Sequence, residues 1–254
     1  MNLHFYKYQG AGNDFILLDN RSGVIDLDTQ TIAGLCNRHF GIGADGLMYL
    51  EQPRQAGDDF HMVYFNSDGR ESTMCGNGGR CIARFAQHLG IVATDAKFSA
   101  IDGAHWARLS ADKVELGMID AVALVEKNGG YFVNTGSPHH VENRHADGDF
   151  VHTARVIRDA YGTEGANVNF IESCEGELSI RTYERGVENE TLACGTGAVA
   201  AAIVAYTKGW TTIKPVRLYA PGGVLEVDFS GDGPFTNVVL SGPAEKVFEG
   251  TVAL

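Results

Sequence analysis

Two stretches of this chain share one layout, and that repetition limits the fold more than any other feature. MVYFNSDGRESTMCGNGGRCIARFAQHLG spans residues 62–90, and IRTYERGVENETLACGTGAVAAAIVAYTKG spans 180–209. Each opens as a strand with alternating or aromatic residues. Each then passes through a polar loop to Cys-Gly-x-Gly, continues as a helix and stops at a Gly followed by an apolar residue. In the first, Ile82, Phe85, Ala86 and Leu89 recur at i, i+3, i+4 and i+7, a core-facing stripe, and Gly90 suits the left-handed position after a helix end. In the second, Ala198 to Ala205 is apolar on every side, as a fully enclosed helix requires, and Gly209 plays the part of Gly90.

The two Cys-Gly motifs, at 75 and 194 in a chain of 254 residues, lie almost half the chain apart. A fainter echo, FYKYQGAGNDFILLD near the start and YFVNTGSPHHV at 131–141, repeats a strand, a tight Gly turn and polar residues. The expected fold is α+β: two α/β domains related by a pseudo-twofold, with strands wrapped around one central helix in each. The expected division is 1–119 with Cys75 and 120–243 with Cys194, the last strand (within 244–254) returning to the first half. Lys113–Gly117, Val216–Tyr219, Gly223–Phe229 and Asn237–Leu240 read as further strands, and Thr31–Cys36 lies in a helix.

Composition removes several function classes. A net charge of −12 argues against nucleic-acid binding, which needs a basic face. No apolar run approaches the roughly 18 residues of a membrane span, and MNLHFYKYQG lacks the apolar core of a secretion signal. Five cysteines, an odd number with no CxxC spacing, suit reduced thiols in a cytoplasm and argue against a tetrahedral zinc site. Cys36, Cys81 and Cys174 read as small buried hydrophobes. Gly41–Gly46 matches GxGxxG, but it follows a helical stretch and precedes the strand at 47–50, the reverse of a dinucleotide loop. His139, His140 and His145 cluster without a carboxylate or Cys at ligand spacing, so no metal is expected.

Cys75 and Cys194 are different. A Cys just ahead of a helix faces unpaired N–H groups and the positive end of the helix dipole, which favour the thiolate. The glycines after it let the backbone approach a ligand, and their N–H groups can bind a carboxylate. Two such loops facing each other would hold an amino acid by its carboxylate with a sulfur on either side of Cα. One sulfur, as thiolate, removes the α-proton and the other, as thiol, supplies a proton to the opposite face. Only seven Lys are present, none in a Gly-rich phosphate loop, which argues against a pyridoxal Schiff base. Read from the residues alone, the alternatives are a racemase for another amino acid and a non-catalytic anion-binding or thiol-redox protein.

MCGNGGRC at 74–81 and ERGVENETLACGTGA at 184–198, with GAGNDFILLD at 10–19 and RHFGIGADG at 38–46, resemble the motifs of diaminopimelate epimerase over nearly the whole chain. Proline racemase relatives typically have His after the first Cys-Gly, where this chain has Asn77. The resemblance implies inversion of one centre of L,L-diaminopimelate to the meso form, in lysine and peptidoglycan precursor synthesis, by a cytoplasmic homodimer with no cofactor. By match, Cys75 and Cys194 are the catalytic thiols. Asn13, Asn66, Asn167, Glu184 and Arg185 hold the substrate, chiefly its distal end. Gly76, Asn77, Gly195 and Thr196 bind the reacting carboxylate, and His139 and Glu184 tune the thiols. Three positions depart from the pattern: ten residues separate Glu184 from Cys194 where the family often has nine, Ser137 stands where many members have Asn, and Gly46 stands where some have Gln.

Overall fold

Alternating segments become strands. Along Asn2–Gly10 (β1) Leu3 and Phe5 are buried between exposed Asn2 and His4, the period of two that a half-buried strand requires. A computed structural model describes residues 2–145, 148–174 and 177–254 and divides the chain into two units. Unit 1 is Met1–Leu116 with Pro243–Leu254, and unit 2 is Gly117–Gly242.

In unit 1, β1 turns through Ala11 and Gly12, both left-handed, into antiparallel β2 (Asn13–Asp19). Helix α1 (Thr29–Cys36) starts where the Asp28 carboxylate accepts the Thr31 N–H, an N-cap that satisfies one orphan donor. It carries the chain across to β3 (Gly46–Glu51), parallel to β2; a parallel neighbour needs such a crossover. β4 (Phe60–Asn66) runs back antiparallel and hairpins into β5 (Glu71–Ser72). Helix α2 (Gly76–His88) crosses to β6 (Asp95–Ala100), parallel to β4, and β7 (Gly103–Leu109) and β8 (Val114–Gly117) close the run antiparallel. α2 packs on β1, β2, β3 and β7. Ile82, Phe85 and Ala86 are buried, and Gly90 is left-handed just past the helix end.

Unit 2 repeats the order: β9 (Leu124–Lys127), β10 (Gly130–Asn134), β11 (Pro138–Asn143), α3 (Phe150–Asp159), β12 (Asn167–Cys174), β13 (Glu177–Glu184), β14 (Asn189–Thr191), α4 (Gly195–Thr207), β15 (Val216–Ala220), β16 (Gly223–Ser230) and β17 (Thr236–Gly242). Its parallel pairs are again the two bridged by helices, β11 with β12 across α3 and β13 with β15 across α4. The central helix α4 is buried on every side from Gly197 to Ala205 and packs on β10–β13 and β15–β17. β18 (Glu245–Ala253) then pairs antiparallel with β1, Asn2 opposite Ala253 and Gln9 opposite Glu245. It stands to β1 as β9 stands to β10.

Each unit is thus a mixed sheet around a central helix, and the GxGxxG stretch lies in the loop between α1 and β3, after a helix and before a strand. α3 has no counterpart in the expectations. Only Phe150 and Ala154 are fully buried on it, with Val151 and Ile157 packed beside them, and its N-cap Asp149 makes no side-chain bond; the i, i+1, i+4, i+7 stripe and the Asp at its start are helix signals that were overlooked. Among the described residues, no helix is long and apolar enough to cross a membrane.

Candidate active site

In unit 1 the chain enters α2 at Cys75, which is its N-cap, with extended backbone (φ −102°, ψ 147°). Its sulfur accepts the Gly78 N–H at 3.2 Å, the bond that a Ser or Asp oxygen makes at other helix starts. A Cβ on residue 78 would lie 3.2 Å from that sulfur and 3.4 Å from Met48 Sδ, so glycine leaves the thiol its place. Cys75 is half-buried, whereas Cys36 and Cys81 are buried; burial pushes the Cys36 thiol up to about 11 and Cys81 higher still. The expectation for Cys174 falls on a side chain outside the described residues.

Asn77, in the first turn, is nearly fully buried and held on both sides. Its Oδ1 accepts from Arg80 Nη2 at 2.8 Å, and its Nδ2 donates to Asn13 Oδ1 at 3.3 Å. Asn13 Nδ2 donates in turn to Asp45 Oδ2 at 2.6 Å, and Asp45 is paired with Arg38 at 2.6 Å. Asn66 is exposed at the end of β4, where its backbone closes the turn to Gly69 and Arg70. A Cβ at Gly46 would lie 2.6 Å from the Phe65 carbonyl oxygen and 2.6 Å from the Tyr64 ring, so the space a Gln would need there is filled by Tyr64.

Cys194 holds the same place on α4, with φ −116° and ψ 116°, but its sulfur caps no N–H; it lies 3.5 Å from Thr196 Oγ1. Thr196 is held by Thr135, whose hydroxyl donates to the Thr196 carbonyl at 2.8 Å, and by His139 Nε2, 2.9 Å from its own hydroxyl. His139 is fully buried, and burial first, then the charge of Arg185, pushes it down to about 3. It is therefore a neutral imidazole.

Asn169 assigns its tautomer. Asn169 Nδ2 donates to the His140 carbonyl at 2.9 Å and lies 3.2 Å from His139 Nδ1, while its Oδ1 accepts from Thr182 at 3.0 Å. An amide N–H can only donate; Asn167 Nδ2 also lies 3.4 Å from Nε2, but its two hydrogens go to the nearer Ser137 and Pro138 oxygens, so Nδ1 is the acceptor and the ring hydrogen sits on Nε2, directed at Thr196. The Thr196 hydroxyl hydrogen is then left for the Cys194 sulfur. Gly197 makes room for this: a Cβ there would lie 2.5 Å from Asn169 Oδ1 and 3.4 Å from Cys194 Sγ. Asn169 was not among the expected site residues. The signal was present in Asn167-Val-Asn169, two polar residues at period two on one strand.

The remaining expected residues cluster around the end of β13. Asn167 is buried; its Nδ2 donates to Ser137 Oγ at 2.9 Å and to the Pro138 carbonyl at 3.1 Å, and its Oδ1 accepts the Arg185 N–H at 2.9 Å. Its donors are thus spent on fixing the Ser137–Pro138 turn, and the Ser at 137 serves as their acceptor. Glu184 is half-buried at the strand end, and Arg185 is exposed with Nη1 on the Glu164 carbonyl at 2.9 Å. The ten-residue step from Glu184 to Cys194 opens with the four-residue turn 185–188, where Gly186 and Glu188 are both left-handed. Glu188 anchors that turn through the Gly186 N–H, Arg158 and the Tyr183 hydroxyl. His140 and His145 go to separate partners, Tyr161 and Glu142 for the first and Glu172 for the second.

The family model described as diaminopimelate epimerase matches residues 5–120 and 131–247. A diaminopimelate epimerase from Flavobacterium psychrophilum is 47% identical over 98% of this chain and all of its own length. One from Aquifex aeolicus is 38% identical over 99% of this chain and 98% of its own. Among solved structures, a phenazine biosynthesis protein of the PhzF family from Bacillus anthracis superposes with a TM-score of 0.75 at 12% identity, covering both chains completely. A hydroxyproline epimerase from Agrobacterium vitis superposes at 0.70 and 13% identity, covering this chain and 93% of its own. At those identities the two structures speak for the fold, and the relatives with the family model carry the assignment: with a cysteine at the head of each central helix, this chain belongs to the diaminopimelate epimerase family.

Proposed function

We propose that this chain interconverts L,L- and meso-diaminopimelate, with Cys75 and Cys194 as the two proton-transfer groups, in the synthesis of lysine and peptidoglycan precursors. The observation that carries the reading is the repetition of one device: each unit places a half-buried cysteine at the N-cap of its central helix, followed by glycine-rich first-turn backbone. The α-proton of an amino acid is a very weak acid. Removing it pushes charge onto the carboxylate, and preorganised N–H donors directed at that charge lower the barrier most. Positioned acid and base add about 10²–10⁴-fold. Gly76, Asn77, Gly195 and Thr196 provide first-turn donors of this kind. One thiolate takes the proton and the other unit's thiol returns one to the opposite face, so no cofactor is needed.

In this reading Glu184 and Arg185 offer an anion and a cation to the distal amino-acid end of the substrate. Asn13 and Asn66 add polar contacts, and Asn167 acts by fixing Arg185. Units 1 and 2 are the two epimerase domains, with β18 part of the first, and the protein works as a cytoplasmic homodimer. Proton NMR of L,L-diaminopimelate with the reduced protein in D₂O tests the reaction. The expected result is loss of the α-proton signal with appearance of the meso isomer, and neither in Cys75→Ala or Cys194→Ala. No exchange with diaminopimelate but exchange with proline would move the assignment to a racemase of another substrate class.

A further inference from the structure

Arg80 is fully buried on α2, five residues after Cys75. Its Nη1 donates to the Gly76 carbonyl at 3.1 Å, its Nη2 to Asn77 Oδ1 at 2.8 Å and its Nε to the Pro243 carbonyl at 3.3 Å. All three acceptors are neutral, and among the described residues no ion pair involves Arg80. A buried charge without a counter-charge is costly, and burial, only partly offset by the Cys81 and Cys75 sulfurs, pushes this guanidinium down to about 10. The hydrogen bonds turn the charge back toward the first turn of the helix, the turn that begins at Cys75. On α4 the position five residues after Cys194 is Val199, equally buried and apolar. At this position the two central helices differ by a buried charge, Arg80 on α2 against Val199 on α4.

We infer that Arg80 is a positioning residue for Cys75: it fixes Gly76 and Asn77 in the first turn of α2 and supplies a buried positive charge that favours the Cys75 thiolate, which the Cys194 loop lacks. The inference rests on the reading of Cys75 as a proton-transfer group, but its test needs no substrate.

The other titratable groups around this turn do not replace Arg80. Cys81 on α2 and Tyr8 on β1 are both pushed up by burial and stay neutral. Asp102, between β6 and β7, lies 3.4 Å from the Met74 N–H and is bonded to His105 at 3.2 Å; its charge opposes a thiolate. Asp14 and Asp45, behind Asn13, are engaged by Lys7 and Arg38.

The experiment is the pH dependence of Cys75 alkylation by iodoacetamide, read by peptide mass spectrometry in a Cys194→Ala background. Arg80, Arg80→Gln and Arg80→Lys forms are compared, with folding checked by circular dichroism. With Arg80 the midpoint is expected below the value of about 8.5 for a free thiol. Arg80→Gln raises it by about one unit, a roughly tenfold slower reaction near neutral pH, and Arg80→Lys, which keeps the charge, restores most of the shift. A folded Arg80→Gln protein with an unchanged midpoint, or equal shifts in both variants, overturns the inference. If Arg80→Gln does not fold, an Arg80 midpoint at or above about 8.5 overturns it, and a lower one restored in Arg80→Lys upholds it. Failure of the epimerase reading would show separately, in the D₂O experiment.

Discussion

His139 is a buried base that must stay uncharged to do what its surroundings allow. Its ordinary value is 6.5 and its folded value is near 3, so the unfolded chain takes up the proton first as the solution is acidified. The stability associated with a neutral His139 is therefore complete above about pH 6.5 and is lost progressively as pH falls toward 3. At pH 5 the loss from this group amounts to about 2 kcal/mol. Urea denaturation between pH 7 and 4.5 should show the native protein losing stability more steeply than His139→Gln, which has no proton to gain. Equal slopes would mean that the ring is charged or solvated in the fold. The sequence marked His139 through the family pattern, but its neutrality depends on burial and on Arg185, which lies 46 positions further along the chain. Asn169 and Arg80 were overlooked for a related reason. A polar residue on a strand or helix reads as a surface residue until the sheet around it is known, although Arg80 lies inside the MCGNGGRC motif itself.

Among the elements, the two central helices were the most legible. Their cysteine, glycines, apolar faces and terminal Gly each follow from local chemistry, and the strands between Gly and Asp turns follow from period-two patterning. α3 was overlooked although Phe150, Val151, Ala154 and Ile157 share one face; only two of them are fully buried, and the rest of the helix is half-covered or exposed. The glycine after Cys194 and Thr196 offers a test at this scale. Gly197→Ala sets a methyl 2.5 Å from Asn169 Oδ1, and either the helix start or the Asn169 side chain must move. Overpacking of this kind costs about 1–3 kcal/mol, and displacement of Asn169 frees the His139 ring. The expected outcome is a lower denaturation midpoint together with a fall in kcat/KM of about tenfold or more. An alanine variant with native stability and turnover would show that the contact is dispensable.

At the level of the whole molecule, the doubled motif announced two halves with one central helix each; the parallel pairs across α1 and α2 in one unit and across α3 and α4 in the other were not foreseen. What the sequence showed less clearly was β18, whose pairing partner is at the other end of the chain. It covers one side of β1 along nearly its full length. Removing residues 245–254 should expose those backbone groups and destabilise unit 1 selectively. Hydrogen exchange read by mass spectrometry should show faster exchange across β1 and β2 in the truncated protein, with β12 and β13 of unit 2 unchanged. Uniform loss of protection in both units would indicate instead that the two unfold as one.

The same pairing has a consequence for synthesis. A chain emerging from the ribosome completes every strand of unit 2 before residues 245–253 exist, so the half encoded second is the first that can close. Unit 1 has to wait with β1 open along one edge for the time needed to translate the more than two hundred residues between β1 and β18. An open strand edge of that kind invites pairing with other chains. The charged and polar residues spaced along β1, His4, Lys7 and Gln9 among them, are the sort of sequence that keeps such an edge from finding the wrong partner while it waits.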